Sequence, residues 1–116
     1  MISNTGLHTL MLNNADSFGT IKVDLLSLKK SALVLRALNH KLRQQIIRLL
    51  DEKKKLTVTD VYITLRLEQS VASQHLAILR RAGIVITQRE GKFIYYAVNH
   101  KRLLEINKFA EELLAY

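Results

Sequence analysis

The residues best suited to chemistry in this sequence lie between Gln69 and Gly83, QSVASQHLAILRRAG. Wound as a helix at about 100° per residue, Ser70, Gln74, Ala77 and Arg81 fall on one side with Ser73 on its flank. Ala72, Leu76 and Leu79 then share the opposite stripe and face a core. Hydroxyl and carboxamide groups among small residues suit a groove of DNA, where they can meet base edges, while arginine supplies a charge-assisted donor to phosphate. The same pattern also describes an ordinary amphipathic helix with a solvated back.

The other reactive side chains do not assemble into a catalytic pattern. His40 is expected at the surface just inside a helix start, His75 as a packed, hydrogen-bonded residue at the edge of the inward stripe, and His100 at the surface of a helix start. No serine or carboxylate can be tied to a histidine as a triad, Glu111-Glu112 reads as solvation, and no glycine-rich phosphate loop occurs. With no cysteine there is no disulfide, thiolate metal site or thiol switch. An enzyme is not expected, nor a cofactor.

Eighteen Lys+Arg against 10 Asp+Glu give a net charge of +8, which favours a polyanionic partner, nucleic acid before membrane. No apolar run approaches the roughly 18 residues a membrane span requires, and no lysine or arginine precedes Lys22 to begin a signal peptide, so a cytoplasmic location is expected. A chain of 116 residues suits one domain, and the absence of proline suits a mostly helical one.

Stepping outward from the central helix, the chain orders itself as follows. Residues 1–20 show no sustained period and read as an irregular arm before a domain spanning 21–116. Asp24 can cap a first helix in which Leu25, Leu28, Ala32 and Leu35 form one stripe. Asn39 can cap a second helix through Leu50, with Leu42, Ile46, Leu49 and Leu50 inward and Lys41, Arg43 and Arg48 outward. Asp51 to Lys55 reads as a charged turn, and Thr57 or Thr59 opens a third helix. The short link Arg66-Leu67-Glu68 then leads into the Gln69 helix, which makes the pair a helix-turn-helix. Gly83 suits the position just past the helix end. Ile84–Arg89 and Phe93–Val98 flank a Glu90-Gly91-Lys92 turn and read as a hairpin wing, with Arg89 and Lys92 at its tip, either on a phosphate backbone or in a solvated turn. Asn99 can cap a last helix carrying Leu103, Ile106, Phe109, Ala110 and Leu113. The expected fold is mainly α with a small β-hairpin wing, a winged helix-turn-helix of order ααααββα. The apolar first and last helices are the candidate dimer interface.

Three groups of residues carry a family resemblance. Ala37-Leu38-Asn39-His40-Lys41-Leu42-Arg43 with Ile46–Leu50, Ser73-Gln74-His75-Leu76 with Leu79–Val85, and Arg89-Glu90-Gly91-Lys92 with Tyr95-Tyr96 together resemble the ArsR/SmtB family of bacterial winged-helix repressors. The likeness runs from about Leu28 to Leu114. It implies a homodimer packed through its first and last helices, with recognition helices in successive major grooves and DNA contacts at the positions of Gln69, Ser70, Ser73 and Gln74. Where soft-metal sensors of that family carry C-x-C-D, this sequence has Thr57-Val58-Thr59-Asp60, and the last helix has a single histidine, so neither usual metal site is present. Lys41 replaces the usual proline, Ala77 a frequent lysine and Glu68 a frequent serine.

The expected function is therefore a homodimeric, sequence-specific regulator of transcription, most simply a repressor without a metal or thiol switch, on a pseudo-palindromic operator with half-sites ~34 Å apart. Ser70, Ser73 and Gln74 are assigned to bases, Arg81, Arg89 and Lys92 to phosphates, and Lys41 and Arg43 to further backbone contacts; an effector is left open. A winged-helix module that binds another protein and holds DNA only non-specifically is the alternative, and a metal site built from His100, Glu111, Glu112 or Asp60 a third.

Overall fold

The computed structural model describes residues 8–14 and 19–115. Their elements are β1 (Thr9–Asn14), β2 (Gly19–Asp24), α1 (Leu25–Leu38), α2 (Lys41–Lys53), α3 (Val58–Leu65), α4 (Gln69–Arg81), β3 (Val85–Glu90), β4 (Phe93–Val98) and α5 (His100–Leu114). The chain divides into two compact units between Val34 and Leu35.

The first unit corrects the expectation of an irregular arm. β1 and β2 pair antiparallel, with Leu10 opposite Val23 and Leu12 opposite Ile21. Ile21 and Val23 alternate along β2 while Leu10-Met11-Leu12 of β1 is a continuous apolar run, signals too short to stand out in a segment rich in Asn, Ser and Thr. The rest of that expectation, residues 1–7 and 15–18, lies outside the described residues. Asp24 caps α1 as anticipated: its carboxylate accepts from the Leu26 and Ser27 amides at 3.0 and 3.2 Å. The Ser27 bonds hold its pKa below the ordinary aspartate value.

In the second unit the helical periods predict the core well. Ile46 and Leu50 of α2, Val61 of α3, and Ala72, Leu76 and Leu79 of α4 are fully buried. Thr57 caps α3 in a reciprocal capping box with Asp60. α3 ends at Arg66 in the left-handed conformation, and the Leu67 amide returns to the Tyr62 carbonyl at 2.9 Å, closing the helix-turn-helix. Gly83, at φ +76°, closes α4 in a Schellman arrangement: its amide bonds to Arg80 O at 2.9 Å, and the Ile84 amide to Leu79 O at 3.0 Å. A Cβ on Gly83 would stand 3.3 Å from Arg102 Nε, so the left-handed turn and the close approach both favour glycine. β3 and β4 pair as the wing, and Leu56 adds a short bridge to Tyr96. Asn99 caps α5 by accepting from the Arg102 amide at 3.2 Å.

Four expectations fail here. α2 is capped by His40, not Asn39: the His40 Nδ1 accepts from the Leu42 and Arg43 amides at 3.2 and 3.4 Å, so this histidine is half-buried rather than at the surface. α2 also continues to Lys53, so only Lys54 and Lys55 remain of the charged turn before Leu56. Ile106 is 7% exposed and belongs to the core, which removes it from the candidate interface, while Phe109 and Leu113 stay exposed. Arg43, expected outward, is 7% exposed. Its Nε donates to Ala37 O at 2.7 Å and its Nη2 to Arg36 O at 3.1 Å. Arg43 precedes Ile46 by three and Leu50 by seven, so its position belongs to the inward stripe. A guanidinium can occupy that stripe because the last carbonyls of α1 need donors.

Replacing Arg43 with Leu strands those carbonyls, at a cost of about 3 kcal/mol in urea unfolding, whereas Arg48→Leu on the exposed side of α2 should change stability by no more than about 0.5 kcal/mol. Equal effects would contradict the placement of Arg43.

Candidate nucleic-acid interface

α4 presents the face that the sequence assigned to DNA. Gln69, Ser70, Ser73, Gln74, Ala77 and Arg81 are all exposed, and none of them is a large apolar residue. Glu68 stands at the N-cap without a side-chain capping bond, so no side chain blocks the first amides of the helix. The amino end of a helix with unblocked amides favours an anion such as a backbone phosphate.

The helix is held from behind. Arg43 Nη1 lies 3.2 Å from His75 Nδ1 on the inner edge of α4. Arginine has donors only, so Nδ1 is the acceptor and the neutral ring carries its proton on Nε2. The His40 ring stands 4.9 Å from that of His75, which brings the start of α2 against α4; Lys41, the next residue, is exposed. His75 is thus the packed, hydrogen-bonded residue that its position in the stripe suggested. Arg43 touches α4 from inside and cannot reach a phosphate.

On the wing, Arg89 and Lys92 are both exposed. Arg89 Nε donates to Gly91 O at 3.2 Å, and Lys92 Nζ lies 5.4 Å from the centre of the Phe93 ring. Gly91 turns the tip at φ +62°. Glu90, the acid between these cations, is engaged by Lys55 in a short ion pair. Lys55 also lies 4.9 Å from the Tyr95 ring centre. Sequence reading missed this role of Lys55: its partner is 35 residues away, and no periodicity links a loop to a strand. The third-helix positions equivalent to metal-binding cysteines hold Thr57 and exposed Thr59, and the Thr57 hydroxyl and Asp60 carboxylate are occupied in capping α3. His100 pairs with Asp51 at 2.7 Å, a bond between the start of α5 and the end of α2 that holds the Asp51 carboxyl below its ordinary pKa.

Residues 40–87 match the profile of "Bacterial regulatory protein, arsR family". The chain is similar to the transcriptional repressor PagR of Bacillus anthracis, 34% identical over 87 residues that cover 75% of this chain and 87% of that one. The crystal structure of that repressor superposes with a TM-score of 0.60 at 33% identity, covering 75% of this chain and 99% of that chain. The transcriptional activator HlyU of Vibrio cholerae is 37% identical over 70 residues, 60% of this chain and 64% of that one. An ArsR-like transcriptional regulator from Rhodococcus sp. RHA1 shares the fold, with a TM-score of 0.67 at 21% identity over 75% of this chain and 81% of that one. The winged helix-turn-helix architecture expected from the sequence is the one observed, and regulation of transcription is favoured over the protein-binding alternative.

Burial, and then the charges of His40 and Arg43, push the His75 pKa below the ordinary histidine value of 6.5. A depressed histidine pKa adds stability that is fully present above pH 6.5 and is lost as pH falls from there through the folded-state value. His75→Gln keeps an acceptor without a titrating ring, so its stability should fall less than that of the parent below pH 6.5 in parallel thermal melts. Parallel pH profiles would contradict the neutral His75.

Proposed function

This chain belongs to the arsR family of bacterial regulatory proteins, and from that premise we propose that it is a homodimeric cytoplasmic repressor reading a pseudo-palindromic operator. It is a DNA-binding regulator of transcription; the repressor, the dimer and the individual contacts are the parts proposed. The observation that carries the reading is the outward face of α4, exposed, polar and without a bulky apolar residue. Ser70, Ser73 and Gln74 take base edges, and Gln69 adds a contact at the helix start. Arg81, Arg89, Lys92 and Lys41 take phosphates; Arg43 is withdrawn from that set because it is buried.

Repression is supported by the likeness to PagR. The dimer is supported by apolar side chains that a monomer leaves in water: Leu28 and Leu33 on α1, and Leu104, Phe109, Leu113 and Leu114 on α5. Leu25, Ala32, Leu35, Leu103 and Ala110 complete the proposed interface. No catalytic role is assigned. No helix among the described residues is long and apolar enough to cross a membrane. The residues facing the DNA belong to the unit that starts at Leu35, within the proposed domain 21–116.

Fluorescence anisotropy against the DNA upstream of its own gene and a scrambled duplex, at several salt concentrations, tests the reading. A preference of ~10³ or more is expected. Equal affinities that vanish together as salt rises would contradict it. Gln74→Ala should lose about 1–3 kcal/mol of discrimination at one base position, while Lys92→Ala should weaken every duplex alike and lower the salt slope by about 1. For the dimer, Leu113→Asp should give a folded monomer by light scattering; an unchanged dimer would remove α5 from the interface.

A further inference from the structure

The outer face of the wing carries apolar residues that the core does not use. Register places Ile86 opposite Ala97 and Gln88 opposite Tyr95 on one face, and Val85 opposite Val98 and Thr87 opposite Tyr96 on the other. Val85 and Val98 are buried, so theirs is the core side. The other face should be polar by the usual alternation, yet Ile86 is 52% exposed there. Ile86, Gln88, Tyr95 and Ala97 form one wall of a cleft of about 480 Å³. Lys53 at the end of α2, with Lys54 and Lys55 in the turn after it, forms the other. That volume lies in the range of small-molecule sites.

The lining holds three ammonium groups and no carboxylate. Two of these ammonium groups have carboxylate neighbours, Lys55 in its ion pair with Glu90 and Lys53 at 4.0 Å from Glu52, so among the described residues Lys54 is the lysine left to meet an anion. Lys54 ends α2 and turns the chain there at φ +77°. The turn at Lys54 delivers the chain at once into the Leu56–Tyr96 bridge, where amide–carbonyl bonds of 3.1 and 2.7 Å fix the lysines beside Tyr95.

We propose that this cleft binds a small amphipathic anion, a carboxylate on an aromatic or branched aliphatic body, and that the molecule is the effector of the regulator. The apolar wall takes the body and Lys54 the carboxylate. A phosphate backbone offers nothing to Ile86 and Ala97, so the wall argues against DNA as the occupant. An occupant touching both α2 and the wing changes the position of Arg89 and Lys92, and hence DNA affinity. That last consequence rests on the repressor reading above, whereas binding itself does not.

The probe is 3-phenylpropionate, titrated into the free, ¹⁵N-labelled protein, with the uncharged 3-phenylpropionamide as control. Amide shifts should concentrate at Lys54, Lys55, Ile86, Gln88 and Ala97, with affinity about tenfold lower for the amide, the loss of one charge-assisted contact. Ile86→Asp, at an exposed position that leaves the fold intact by circular dichroism, should abolish them, and Lys54→Gln should weaken them. Shifts elsewhere, none up to millimolar probe, or equal affinity for acid and amide would overturn the site. Protection of these amides by duplex DNA would overturn it too and give the cleft to the backbone. With the cleft occupied, the operator dissociation constant should change in the parent and not in Ile86→Asp; an unchanged constant overturns the effector role. Failure of operator binding without the probe counts against the repressor reading alone.

Discussion

The second unit of this protein depends on one buried cation. A guanidinium removed from water costs several kcal/mol unless its donors find partners, and Arg43 finds them in three places: Ala37 O, Arg36 O and His75 Nδ1. Those partners belong to the end of α1 and the inner edge of α4, while Arg43 itself sits in the first turn of α2. One side chain therefore satisfies the open carbonyls at one helix end and fixes the orientation of the helix that presents the residues proposed to read DNA. Burial first, and then the charges of His40 and Arg43, hold the His75 pKa below the ordinary histidine value, so the ring stays an acceptor for Arg43.

With the inner edge of α4 so held, its outer face is free for recognition. Ala72, Leu76 and Leu79 bury one side in the core, and the polar side remains in water. Rigid support behind small polar residues is what base reading requires, because a contact misplaced by an ångström loses its discrimination. The wing is braced separately, through the Leu56–Tyr96 bridge and the Lys55–Glu90 pair. Neutralising Glu90 leaves Arg89 and Lys92 as the effective charges at the tip.

Much of this was legible in the sequence, and the failures have physical causes. The core of α4, the turn at Gly83, the caps at Asp24 and Asn99 and the wing all follow from local rules, and the structure has them; of the two threonines that could open α3, it uses Thr57. Arg43 was misread because its charge was given more weight than its position, although the spacing to Ile46 and Leu50 already set it inside. His40 displaced Asn39 as a cap because an imidazole nitrogen can accept amide bonds as a carboxamide can. The β1–β2 hairpin has little signal in the sequence because a three-residue apolar run and one short alternation stand among polar neighbours. Lys55 with Glu90 could not be read at all, since the pairing exists only once the wing folds back toward α2.

Hydroxyl-radical footprinting of the protein on the DNA upstream of its own gene tests the central claim most directly. Two protected stretches, about 10 base pairs apart from centre to centre, are expected from a pair of recognition helices entering successive major grooves. The same pattern should weaken in Gln74→Ala and persist in Arg48→Leu. A single protected stretch, or even protection along the whole duplex, would contradict a two-fold reader built on the outer face of α4.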